Sequence, residues 1–208
     1  PRTRPGGRRT MNPVDATVSG EVAESVEVPR RADAVRNREK VIAAAEQVFA
    51  EHGIEAGVPE IAEKAGVGKG TVYRNFETKD DLVAAVLIRR MNRFDEDILD
   101  ALESDDPGAA FGEALRKAAT RASDLSFQAG IYWSGSSEEL IEVKARVKGH
   151  MARLVRKAQK AGAIRKDATV DEVWILFGGI CRALGDAGEK DPKVWRRHTD
   201  LVVDAFRP

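Results

Sequence analysis

From Val41 to Phe206 the apolar residues recur at steps of three and four, and nowhere do they alternate one by one. A chain with the helical period and without the strand period buries its apolar side chains by packing helices on helices. The expected fold class is all-α. Val41, Ile42, Ala45, Val48, Phe49 and His52 share one face, and Gly53 stands where a left-handed C-cap belongs. Val58 to Ala65 reads as a short helix, with Gly57 as N-cap, Pro59 in the first turn, where its missing N–H costs nothing, and Gly66 at the end. A second short helix covers about Lys69 to Asn75. Thr78 and Asp81 form an N-cap signature ahead of the long apolar series Leu82, Val83, Val86, Leu87, Met91, Phe94, Ile98 and Leu102.

After the Pro107-Gly108 break, Phe111, Ala114, Leu115, Ala118, Ala122 and Leu125 mark another helix, and an aromatic linker, Ser126 to Ser137, follows. Leu140 to Ala158 should be helical and stop near Gly162, with further helices over Val170 to Leu184 and Lys193 to Phe206. Residues 1–29 carry four arginines before Met11, four acids after it and no aromatic, which predicts a disordered tail. Residues 30–78 then form a compact three-helix unit, and 79–208 a larger helical bundle.

Composition excludes more than it assigns. The 34 basic and 34 acidic residues cancel, so attraction to a polyanion must come from local clusters. The lone Cys181 rules out an intramolecular disulfide and is expected to act as a small buried hydrophobe. The longest apolar run, Val173 to Cys181, has nine residues, against the roughly 20 that span a bilayer. Arg8-Arg9 lacks the apolar stretch of an export signal, so the expected location is cytoplasmic, without membrane contact. His52, His150 and His198 are isolated from one another and from other ligands, so no metal, cofactor or catalytic set is expected.

Chemistry concentrates in Ile61 to Phe76. Its spacing is that of a helix-turn-helix: small Ala62 faces the second helix, Gly66 takes the turn, and Val67 and Val72 point inward. Gly66 to Phe76 contains Lys69 and Arg74 and no acid, while Arg30 to Lys40 carries five bases against two acids, two patches of a size to meet phosphates. Spacing alone leaves open a helical adaptor that uses the motif only for packing, and basic charge on the second helix argues against it. Gly66-Val67-Gly68-Lys69-Gly70-Thr71 looks superficially like a nucleotide-binding loop of a helical enzyme, but Gly70 separates lysine from threonine and no strand precedes it.

The stretch VFAEHGIEAGVPEIAEKAGVGKGTVYRNFETKDDL resembles the N-terminal DNA-binding domain of the tetracycline-repressor (TetR) family, over about residues 33 to 85. The specific positions are Ile61-Ala62, Ala65-Gly66-Val67 and Gly70-Thr71-Val72-Tyr73, with Phe76, Lys79 and Leu82. The resemblance implies a non-enzymatic transcriptional repressor. In it Lys69, Gly70, Thr71, Tyr73 and Arg74 meet the major groove or its flanking phosphates, and Lys79 holds a phosphate. Their chemistry agrees, since Gly70 admits close backbone approach, Thr71 and Tyr73 offer hydroxyls, and Lys69 and Arg74 neutralise phosphate or reach guanine. Two positions depart from the pattern: Ala56-Gly57 replaces the usual hydroxyl residues, and Arg74 stands where histidine is common.

The bundle is read from its aromatics. As a group Phe111, Phe127, Tyr132, Trp133, Trp174 and Phe177 suit an apolar cavity for an apolar or aromatic effector, with His150, Arg146 and Arg153 as candidate polar anchors, although for each aromatic alone core packing is the favoured reading. Ile175 and Leu176 lie opposite the main apolar face of their helix, and Gly178, Gly179 and Ala183 would admit a close partner helix. Trp195 and Phe206 of the last helix are expected to share the surplus apolar surface. By resemblance, the last two helices pair with a second copy, and the effector releases the homodimer from a near-palindromic DNA operator.

Overall fold

A computed structural model describes residues 27–123 and 137–208. The chain divides after Val35 into two units, and the packing described here is that of the second, Arg36–Pro208. Eight helices and no strand are found among the described residues. They are α1 (Glu27–His52), α2 (Val58–Ala65), α3 (Lys69–Asn75), α4 (Lys79–Glu103), α5 (Pro107–Ser123), α6 (Glu138–Lys160), α7 (Val170–Asp186) and α8 (Pro192–Asp204). None is long and apolar enough to cross a membrane.

The helix ends follow local chemistry. α1 starts at Glu27, so the last residues assigned to the tail are helical; Pro29 falls in the first turn, whose N–H groups have no intrahelical acceptor. α1 ends at His52, where Gly53 takes φ +80° and its N–H reaches the Phe49 carbonyl at 3.0 Å. Gly66 closes α2 at φ +66°, a conformation that costs a residue with a Cβ. Thr78 and Asp81 cap α4 reciprocally, as Thr169 and Glu172 cap α7. Lys157 of α6 donates to the Leu102 and Ser104 carbonyls at 2.6 and 2.7 Å, satisfying the C-terminal end of α4 from a neighbouring helix.

One apolar cluster joins α1, α2 and α3 to the first half of α4, with Phe49, Ile61, Val72, Leu82 and Val86 at its centre and Leu140 of α6 at its edge. A second gathers the rest of α4 with α5, α6, α7 and α8 around Ile98, Leu115, Met151 and Leu154. α4 has 25 residues and is about 37 Å long, so one rigid helix runs through both clusters.

The last helix corrects an expectation. Trp195 and Phe206 are 1% and 0% exposed, buried in the chain's own core and not turned outward. Trp195, Thr199 and Val202 of α8 and Phe206 in the turn that follows form one stripe that packs on α5, where Phe111 meets Phe206 edge to face at 6.0 Å and Arg116 Nε donates to Asp200 at 2.6 Å.

Candidate functional site

Val72 is buried against the first cluster and Val67 half-buried beside it, which fixes how α3 rolls on α2. The opposite face of α3 therefore points to solvent: Lys69, Gly70, Tyr73 and Arg74 are exposed, and Thr71 is half-buried at their edge. Tyr73, at 53% exposure, is not a packed aromatic, so its ring and hydroxyl are available at the surface. Lys79, half-buried, is the first residue of α4, just beyond the Thr78 cap. Of the six residues assigned to DNA, five thus lie along α3 and the sixth, Lys79, at the start of α4.

Arg74 is folded back along its own helix, Nε donating to the Gly70 carbonyl and Nη2 to the Thr71 hydroxyl, both at 3.0 Å. Asn75 donates to the Thr71 carbonyl at 2.7 Å. The guanidinium of Arg38 on α1 lies over the Phe76 ring at 5.0 Å, placing part of the basic α1 span beside the end of α3. Gly57 caps α2 in extended conformation without a side-chain bond, as its lack of a hydroxyl requires.

A cavity of about 90 Å³ lies among α4, α5, α6 and α7. Trp174 and Phe177 stand on its wall, with the Phe94 ring tilted against that of Phe177 at 6.1 Å. Phe111 does not: it is core, packed on Phe206 away from the cavity. Phe127, Tyr132, Trp133 and Leu125 lie outside the described residues. Sequence reasoning missed the charged part of the wall, Arg90, Arg93, Arg121 and Lys144 together with Glu46. Desolvation lowers the Lys144 pKa, and desolvation likewise dominates a lowered value at Arg90, partly offset by Glu46 and Cys181. Burial pushes the Cys181 thiol up to about 12, against a smaller opposing pull from Arg90, so it stays a protonated, small apolar group.

Two of the three candidate anchors are committed elsewhere. Asp95, 6% exposed, accepts from Arg146 Nε at 3.1 Å and from His150 Nδ1 at 2.7 Å, while Arg146 Nη2 also reaches Asn92 at 2.5 Å. These bonds clamp α4 to α6; a buried carboxylate is held there by two side chains that would otherwise have been open to a ligand. Arg153 is exposed. His52 pairs with Glu60, and His198 Nδ1 donates to the Val194 carbonyl at 2.8 Å.

The outward faces of α7 and α8 carry Ile175, Leu176 and Leu201, 67%, 42% and 54% exposed. Gly179 and Ala183 share that side of α7, whereas Gly178 is buried on the cavity wall. The surplus apolar surface is real, and it consists of these residues rather than of Trp195 and Phe206.

The family model described as bacterial regulatory proteins, tetR family, matches residues 41–86, and that of the SbtR-like transcriptional regulator C-terminal domain matches residues 106–208. The crystal structure of a TetR transcription regulatory protein from Mycobacterium vanbaalenii is 30% identical, covers 86% of this chain and 100% of its own, and has a TM-score of 0.61. The TetR transcriptional regulator SCO0520 from Streptomyces coelicolor is 28% identical, with 82% and 98% covered and a TM-score of 0.60. The HTH-type transcriptional repressor BepR of Brucella suis is 38% identical over 78 residues, 37% of each chain. The match spans little more than a third of the curated relatives' length, 35% in one and 37% in another.

Proposed function

Since the chain belongs to the tetR family of bacterial regulatory proteins, a family of DNA-binding transcriptional regulators and not of enzymes, we propose that it represses transcription as a homodimer bound to a near-palindromic operator. The observation that carries this reading is the outward face of α3, where Lys69, Gly70, Tyr73 and Arg74 are exposed on a helix whose other side is anchored by buried Val72. Side chains on such a face reach base edges while Thr71 and Lys79 meet phosphates, contacts that respectively specify and position. The unit 30–78, together with Lys79 at the start of α4, supplies the DNA contacts, and the rest of 79–208 the regulation. The repressor named BepR supports the direction of control.

Ile175, Leu176 and Leu201 form the dimer interface, with Gly179 and Ala183 letting the paired helices approach. The two α3 helices then meet half-sites about 34–36 Å apart, one turn of DNA, or a multiple of it. An effector with an apolar or aromatic body occupies the cavity beside Trp174 and Phe177 and favours an α3 spacing that no longer fits the operator. The protein acts in the cytoplasm, where its DNA lies. Selection of binding sites from fragmented genomic DNA with the purified protein tests the reading: enrichment of a two-fold-related sequence is expected, and retention of fragments without a common motif would refute it.

A further inference from the structure

Three cations occupy places that the helical period reserves for apolar residues. Arg90 continues the α4 stripe of Val83, Leu87 and Phe94, Arg121 that of Ala114 and Ala118 on α5, and Lys144 that of Leu140, Val147 and Met151 on α6. All three point into the same cavity, which Arg93 also lines. A charge placed on an apolar wall persists only where a counter-charge meets it. Two carboxylates meet the arginines of this set, Glu46 acting on Arg90 as well. Glu46 accepts from Arg93 at 3.1 Å and faces Arg89 at 3.6 Å, and Asp97 pairs with Arg121. For Lys144 no carboxylate lies within ion-pair distance among the described residues, and desolvation is the sole perturbation of its ammonium.

From this arrangement we infer that the cavity takes an anion, specifically a carboxylate carried on a compact apolar body, with Lys144 as its counter-charge, Arg90 on the facing helix and Trp174 and Phe177 against the apolar part. The inference rests on the cavity being the effector site. Its roughly 90 Å³ suits a single ring or a short chain better than a large ligand. A lone ammonium matches a monoanion, and the planar guanidinium of Arg90 suits a carboxylate.

The test is calorimetric titration of the full chain with benzoate and hexanoate against benzamide and hexanamide, at constant ionic strength, on the parent and on Lys144→Met and Lys144→Arg. Each carboxylate should bind at least tenfold more tightly than its amide. Lys144→Met should bring that ratio near one by weakening the acids alone, and Lys144→Arg should keep it, which excludes a mere loss of folding. Amides that bind as well as the acids in the parent overturn the anion assignment and leave the effector site standing. A preference that survives Lys144→Met overturns the role of Lys144. Absence of saturable binding by all four compounds overturns the effector site and the inference together.

Discussion

Replacing Lys79 by alanine separates a phosphate contact from a structural role. Lys79 is the first residue of α4, outside the reciprocal bonds of Thr78 and Asp81, and alanine is the best helix former, so the cap and the helix survive the change. If Lys79 neutralises one phosphate in each protomer, the dimer loses two such contacts, and the slope of log affinity against log salt becomes shallower by about 1.8 at about 0.9 per phosphate. Between about 50 and about 200 mM salt, the deficit of the variant should therefore shrink by about twelvefold, equally on operator and random duplex. Fluorescence anisotropy with labelled duplexes across that range measures it. A deficit that stays constant with salt would show that Lys79 acts through folding, and the phosphate assignment would fall.

Arg74 should behave differently. To reach a base it first gives up its bonds to Gly70 and Thr71, each worth about 0.5–1.5 kcal/mol net. A bidentate contact contributes about 1–3 kcal/mol of discrimination, so Arg74→Ala should lower operator affinity about 5- to 150-fold per half-site at most and leave random duplex nearly unchanged. Equal losses on the two duplexes would mean that Arg74 contacts only the backbone and that DNA shape carries the specificity.

Other outcomes follow from the same geometry. Ile175→Glu with Leu201→Glu should convert dimer to monomer in analytical ultracentrifugation, since both residues are exposed in the single chain and their replacement leaves its core intact; a persistent dimer would move the interface elsewhere. Trp174→Ala should weaken effector-induced release from DNA, and by linkage effector and operator must weaken each other by the same factor, typically about 1–3 kcal/mol; a parental response would make Trp174 a core residue only. Because the thiol pKa is raised from 9.0 to about 12, Cys181 should react with iodoacetamide at neutral pH about a thousandfold more slowly than an unperturbed thiol. The folded state keeps a proton that the unfolded thiol releases, so the Cys181 contribution to stability is present below pH 9 and lost towards pH 12; alkaline melts of Cys181→Ala should lack that slope.

The helices were legible because each carries its own signal: Gly53 and Gly66 in left-handed caps, the Thr78 and Asp81 box, an uninterrupted stripe on α4. The α3 face was legible for a further reason, since the inward position of Val72 fixes by period alone that Lys69, Tyr73 and Arg74 turn outward. The last helix was misread because total apolar content does not reveal which of two faces meets the chain's own core. Trp195, Thr199, Val202 and Phe206 make a complete stripe only when polar Thr199 is admitted to it, its hydroxyl satisfied by the Trp195 carbonyl at 2.9 Å. The remaining exposed face, with Leu201, is what a partner would cover.

The cavity shows a different limit of sequence reading. Aromatic content points to Trp174 and Phe177 but also to Phe111, because core and cavity walls use the same residue types. The discriminating signal was charge at apolar register positions. Asp95 follows Met91 and precedes Ile98 and Leu102 on such a stripe, and the fold answers it with Arg146 and His150. Lys144 stands on an equivalent stripe of α6 with no such answer among the described residues, and desolvation disfavours its charge. One breach of the pattern is thus a closed clamp between α4 and α6, while the other is a charge that a ligand can complete. The period shows where a charged group interrupts an apolar face, but only the packed structure distinguishes these two outcomes.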